Sequence, residues 1–348
     1  MKKSAFAFAM LGAVTGAAHA QSSSVTLFGV VDLAARNVKN GSAGTQQQLN
    51  AGGLNTGRLG FRGVEDLGGG LFAGFHLEST VGPDLGTGGN VGAGKFFDRR
   101  STVSLTHPMG ELRLGRDYNP TFWNTAIFDP FGAVGLGTVL NFTATPSYPL
   151  GSGATTALRN DNSIGYLLPR MGGLYGQAMV AAGEGTPGNK YVGARLGYAA
   201  GPLDAAVSFG RTETGVNDFD QSNIGASYNF GSFKVMGLYH QAKFGARKQK
   251  TALIGGTATF GQGEVRASYI ANDRSGGAAG TGFANGDDSK LMALGYVHNL
   301  SKRTALYGTV ARITNDGAAR ASVSGAPPAG LLGGQTSSGF EMGISHRF

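Results

Sequence analysis

Catalysis requires convergent groups, and the histidines of this chain do not converge. Beyond His19 they are His76, His107, His240, His298 and His346, spread one per segment. A hydrolytic triad needs a His set beside a Ser or Asp, which this scatter does not suggest, and none is in a His-x-x-His metal spacing. Cysteine is absent, which removes thiolate metal sites and Cys nucleophiles. The gapped glycines of Gly135-Leu136-Gly137 precede no expected helix and make only a weak phosphate motif. No catalytic residue, metal or cofactor is therefore expected. Arginine remains. In Arg58-Leu59-Gly60-Phe61-Arg62-Gly63, side chains alternate across a strand, so Leu59 and Phe61 share one face and Arg58 and Arg62 the other. On a face turned to lipid, an arginine at mid-depth costs about 2–4 kcal/mol. Arg58 and Arg62 must point away from it, into water.

The strands that position such residues are most legible in the last nine residues. Phe340, Met342, Ile344 and Phe348 fall on one parity, with His346 among them; Glu341, Gly343, Ser345 and Arg347 fall on the other. A terminus is normally polar and frayed, whereas this one ends on an aromatic in an apolar position. That suits a closed barrel whose last strand pairs with the first, oily side outward. The same alternation runs through Ile164–Leu168, Val192–Tyr198, Leu203–Phe209, Ile224–Phe230 and Met292–Leu300. The segment 303–313 phases either way, with Arg312 awkward in both. Compact turns stand at 66–70, 107–110, 169–172, 200–202, 229–232, 260–263 and 299–302. Between them lie longer polar segments: 37–55, 80–95, 118–158, 183–189, 213–219, 242–249, 272–288 and 314–337. Seven short turns alternating with eight long loops require sixteen strands, each with room to cross a bilayer at a tilt. Aromatics such as Tyr198, Phe230, Phe260 and Phe348 gather near turns, as interfacial girdles require.

Composition agrees. Glycine supplies 61 of 348 residues and charged residues only 14%, which disfavours helices and suits short strands with tight turns. No stretch approaches 18 consecutive apolar residues, so no transmembrane helix is expected. Lys2 and Lys3, an apolar run from Ala5 to Ala18, and Ala18-His19-Ala20 read as a secretory signal cleaved after Ala20. Residues 1–20 are then leader and 21–348 the barrel domain. The net charge of +8 falls to +6 without Lys2 and Lys3. No Lys/Arg run or basic amphipathic helix accompanies it, so nucleic acid is not an expected partner. A secreted β-sandwich adhesin stays open on periodicity alone, as does a barrel enzyme. A channel specific for a sugar or phosphate is a further alternative, with Tyr175 and Tyr191 as the obvious aromatic candidates.

With these features in place, the chain resembles the general diffusion porins of the Gram-negative outer membrane, and most closely those of β-proteobacteria. The carriers are Ser24-Val25-Thr26-Leu27-Phe28-Gly29-Val30-Val31-Asp32, the run from Arg58 to Gly70, Leu112-Arg113-Leu114-Gly115-Arg116, Asn299-Leu300-Ser301-Lys302-Arg303-Thr304, and terminal Phe348. The likeness runs from about residue 24 to the end. It implies a sixteen-stranded antiparallel transmembrane β-barrel with short periplasmic turns, long extracellular loops and a third loop, about 118–158, folded into the lumen. It further implies a homotrimer in contact with outer-membrane lipid and lipopolysaccharide, passing small hydrophilic solutes, with Phe348 read by the assembly machinery. That loop carries Trp123, Phe122, Phe128, Phe131, Phe142 and Tyr148, too many aromatics for a solvated tip, so it is expected to pack against a wall. Asp129-Pro130-Phe131-Gly132 resembles the acidic turn at its tip. The resemblance places Arg58, Arg62, Arg99 and Arg159 across a constriction from Asp129. Period two lets only one of Arg99 and Arg100 face the lumen, and the family favours Arg99. Excess arginine implies a mild preference for anions.

Overall fold

The computed structural model describes residues 24–90, 94–144 and 150–348; the leader, Ala20 and Tyr148 lie outside them. The chain forms strands β1 (Ser24–Asn40), β2 (Thr45–Ala51), β3 (Arg58–Gly68), β4 (Leu71–Gly82), β5 (Thr87–Gly88), β6 (Arg100–His107), β7 (Gly110–Tyr118), β8 (Arg159–Leu167) and β9 (Leu174–Ala181). They continue as β10 (Lys190–Ala200), β11 (Leu203–Glu213), β12 (Asp218–Asn229), β13 (Phe233–Phe244), β14 (Arg247–Phe260), β15 (Gly263–Ser275), β16 (Ser289–Asn299), β17 (Thr304–Asn315) and β18 (Ser337–Arg347). β5 is a small arm on the end of β4, and β2 and β3 are two stretches of one crossing. The result is a closed antiparallel barrel of sixteen crossings.

Closure happens at β1. One edge of β1 pairs with β18, from Val30↔Arg347 to Asn40↔Ser337. The other edge pairs first with β3 and then with β2. The terminal residue completes the seam: Phe348 and Gly29 exchange backbone hydrogen bonds, each 3.1 Å. Gly29 is required there, because a Cβ would sit 2.3 Å from the Phe348 ring. Pairing of β1 with both β18 and β3 closes the sheet across its spanning part, which removes the aggregation hazard of an unpaired terminal strand.

The faces sort as alternation demands. Val207, Ile224, Ile254, Met292, Leu294, Val310, Met342 and Ile344 are exposed on the outside, a band no water-soluble surface would carry. Phe230, Phe260 and Tyr198 are exposed on that band beside turns. β17 resolves into one phase. Leu306 and Val310 face out while Ala305, Tyr307, Thr309, Ala311 and Ile313 are buried. Arg312 is then outward, but close to the long-loop end of its strand, where its guanidinium reaches beyond the apolar band.

All seven short turns fall where expected, but the long loops are fewer than the sequence suggests. Segment 37–55 is largely strand: β1 runs on to Asn40 and β2 follows a 3-10 turn at Gly41–Ala43. Likewise only residues 214–217 join β11 to β12, and only 245–246 join β13 to β14. Beyond the bilayer a strand has water on its outer face, so it keeps pairing while losing alternation. Thr45-Gln46-Gln47-Gln48 reads as loop for that reason and folds as strand. The bend between β2 and β3 is held by Asp32, whose carboxylate accepts the amides of Gly53 and Asn55 at 2.9 Å each and the Tyr307 hydroxyl at 2.6 Å.

Candidate functional site

The loop after β7 folds into the barrel, and its neck explains why. Asn119 ends the strand and caps helix α1 (Pro120–Ile127), its side chain accepting the Phe122 amide at 2.7 Å. Proline in the first turn has no amide to leave unpaired. The same Asn119 donates through Nδ2 to the Thr156 carbonyl at 2.6 Å, and its backbone amide bonds Leu158 at 3.1 Å. One residue thus pinches the loop shut at its base.

From there the loop runs along the inner wall. Phe128 and Phe142 are fully buried and Phe131 nearly so. Phe128 fills the space above Gly225 of β12, where a Cβ would come within 2.1 Å of its ring. Ser268 of β15 donates to the Gly137 carbonyl at 2.9 Å, and Gln249 of β14 donates to the Phe142 carbonyl at 2.9 Å. Glu341 of β18 accepts the Leu136 amide at 3.3 Å. The loop is a fixed shelf, with its aromatics as the anchor.

Asp129 serves that shelf and does not face the arginines. It is buried, accepting the amides of Phe131 (2.9 Å), Val139 (3.1 Å) and Ala133 (3.2 Å) and the Thr138 hydroxyl (2.7 Å). Burial pushes its carboxyl upward in pKa, and these four donors offset part of that. The expected constriction role of Asp129 is therefore corrected: its lone pairs hold a turn. Each bond to a carboxylate is worth about 1.5–3 kcal/mol, so Asp129→Ala should free the shelf. The expected result is larger, noisier single-channel currents and faster protease cleavage within the loop.

The carboxylate that does meet arginines is Glu78 of β4, which sequence reasoning missed. Its Oε1 lies 2.5 Å from Arg99 Nε and 3.6 Å from Arg58 Nη1, and its Oε2 lies 3.1 Å from His76 Nε2. The available signal was register: β3 and β4 pair Gly60 with Glu78 and Arg62 with His76, so Glu78 shares the lumen face with Arg58. Tyr118, also missed, is the second hub. Its hydroxyl receives Arg99 Nη2 at 2.7 Å and Arg159 Nη2 at 2.6 Å, and the Arg159 guanidinium lies 4.2 Å from its ring centre.

Arg58, Arg99 and Arg159 are thus brought together, and Arg62 is not. Arg62 is on the lumen side, further along β3, with its guanidinium 5.4 Å from the Phe28 ring. The choice between Arg99 and Arg100 also needs correcting, since β6 begins only at Arg100 and period two does not bind Arg99. Arg100 pairs in register with Glu78 and reaches Thr102 (3.1 Å) and Asp117 (3.6 Å). Both arginines face inward. Around the hub, Arg58 and Arg99 meet the Glu78 carboxylate and Arg159 meets the Tyr118 hydroxyl, so among the described residues three guanidiniums gather around one contacting carboxylate.

A family model described as Gram-negative porin matches residues 7–318. Outer membrane porin protein 32 of Delftia acidovorans is 40% identical over 370 aligned residues, spanning 100% of both chains. The chain belongs to the Gram-negative porin family. An outer membrane porin of Bordetella pertussis is 30% identical, covering 88% of this chain and 93% of its own. Among solved structures, this porin matches an anion-selective porin from Comamonas acidovorans at a TM-score of 0.81 and 36% identity, covering 94% of this chain and 100% of that one. OmpT of Vibrio cholerae, solved as a trimer form, matches at 0.67 with 13% identity over 94% and 99% of the two chains, which speaks to the fold alone. The porin is a passive pore of the outer membrane, and its family members are channels rather than enzymes.

Proposed function

We propose that this porin passes small hydrophilic solutes with a mild preference for anions, and that Arg58, Arg99 and Arg159 set that preference. The observation that carries the reading is the excess of guanidinium over carboxylate at the hub of Glu78 and Tyr118. A solute between these arginines and the loop shelf meets a transverse field. Small dipolar molecules orient in it, and anions gain most. Glu78 holds two of the guanidiniums in fixed positions, so the field is built before a solute arrives. The relative described as anion-selective supports the same sign.

The porin works as a homotrimer in this reading, with its outer band against lipid and lipopolysaccharide. The mature chain begins after Ala20, and Phe348, exposed at the seam, is the residue that outer-membrane assembly machinery reads. Liposome swelling tests the function: gluconate should enter faster than a cation of equal size such as glucosamine, with no saturation. Faster entry of the cation would overturn the assignment of Arg58, Arg99 and Arg159.

A further inference from the structure

Helix α1 is turned in an unusual way. Its polar residues face the wall: Thr121 Oγ1 donates to Gln221 at 2.7 Å, and the Thr121 carbonyl accepts from Asn223 at 2.9 Å. Thr121, Asn124 and Thr125 are buried, whereas Phe122 and Trp123 stay half-buried on the lumen side. Aromatics left partly in water beside a polar wall contact are not explained by packing.

They belong to a continuous line of rings and guanidiniums. Arg159 lies 4.2 Å from the Tyr118 ring. Tyr118 stacks on Phe122 with centroids 4.7 Å apart and planes 13° apart, and lies 5.4 Å from Trp123. Arg195 of β10 follows, 6.0 Å from Trp123 and 5.1 Å from Tyr175. Arg170, in the short turn between β8 and β9, lies 5.7 Å from the same Tyr175 ring. Arg195 Nε and Nη1 are buried with no hydrogen-bond partner. Asp204, the nearby acid, accepts from the Tyr175 hydroxyl at 2.7 Å. The line therefore carries three guanidiniums, Arg159, Arg195 and Arg170, with Asp204 as the acid beside Arg195, interleaved with flat apolar surface.

We propose that this line is a binding track for planar aromatic carboxylates, leading from the arginine hub toward the periplasmic turn. The carboxylate engages Arg159 or Arg195, and the ring stacks against Phe122 and Trp123, so charge and flatness are recognised together. Chloride or acetate uses only the first. The inference rests on the anion-passing reading above and names a solute class for it.

Trp123 is the sole tryptophan, so its fluorescence reports the track directly. Titrating the detergent-solubilised porin with benzoate should change that emission saturably. The midpoint should be at least about threefold below that of cyclohexanecarboxylate, the difference one ring contact supplies, and acetate should have no effect. Arg195→Gln should weaken benzoate by at least about threefold, and in bilayers Trp123→Leu should relieve benzoate block of the chloride current by a similar factor. Both variants must keep the heat-shifted band of folded protein on gels; if either loses it, Arg195→Lys and Trp123→Phe, expected to retain part of the effect, replace them. Equal action of benzoate, cyclohexanecarboxylate and acetate, or variants that titrate like the parent, would overturn the track. A porin that favours potassium yet binds benzoate at Trp123 would sink the selectivity reading alone.

Discussion

Replacing Arg58 and Arg159 together by glutamine should lower the chloride-to-potassium permeability ratio about tenfold, enough to make the porin unselective or weakly cation-selective. The size follows from Coulomb's law. A unit charge about 6 Å from a passing ion, in a dielectric close to that of water, contributes about 0.7 kcal/mol, which screening at physiological ionic strength roughly halves. Chloride loses and potassium gains that amount, so each charge shifts the ratio about threefold and two such charges multiply. Arg99 is left in place because its bond to Glu78 would otherwise leave a buried carboxylate alone. The change should be large in dilute salt and small in molar salt, where the Debye length of about 3 Å falls below the distance across the narrowing. A double variant as anion-selective as its parent would move the selectivity determinant elsewhere in the lumen.

Glu341→Ala should lower stability by about 3–5 kcal/mol, the usual cost of orphaning one partner of a buried ion pair. Glu341 Oε2 receives Arg36 Nε at 2.9 Å and Nη2 at 2.6 Å, and the two residues face each other in the register that closes the barrel. Glu341 has no exposed side-chain surface and Arg36 only 7%. The same carboxylate holds the loop shelf through the Leu136 amide. The variant should therefore unfold at lower temperature on unboiled gels and also show an unsteady pore. Replacing both partners by apolar residues, as in Arg36→Met with Glu341→Leu, should recover much of the heat resistance and not the steadiness, since Leu136 still lacks its acceptor. Unchanged unfolding of Glu341→Ala would show that the seam is held by its backbone pairing alone.

The barrel was legible because lipid enforces alternation at every outward position. Phe340 to Phe348, Leu59 with Phe61, and the Met292 strand could be phased by eye, and they fixed the inward direction of Arg58. The loop shelf was legible in its aromatics, since Phe128, Phe131 and Phe142 have no reason to crowd a solvated tip. Legibility ended where that pressure ends. Gln46 to Gln48 form strand above the bilayer with no oily face to announce it. Glu78 sits in an ordinary His-Leu-Glu sequence, and only the pairing of β3 with β4 brings it to Arg58. Asp129 misled in the other direction: an acid before Pro-Phe-Gly looks like a charge offered to the lumen, yet its oxygens are consumed by backbone amides that a sequence does not display. Arg99 escaped the period-two rule because it lies one residue before its strand.

The central claim is that a water column, narrowed between the loop shelf and the three arginines, favours anions. The zero-current potential of the unmodified porin in a planar bilayer, under a steep KCl gradient, tests it most directly. A potential of the sign set by chloride, shrinking as both baths are raised toward molar salt, is the predicted result. A potential of potassium's sign, or a bilayer that never conducts, would contradict it.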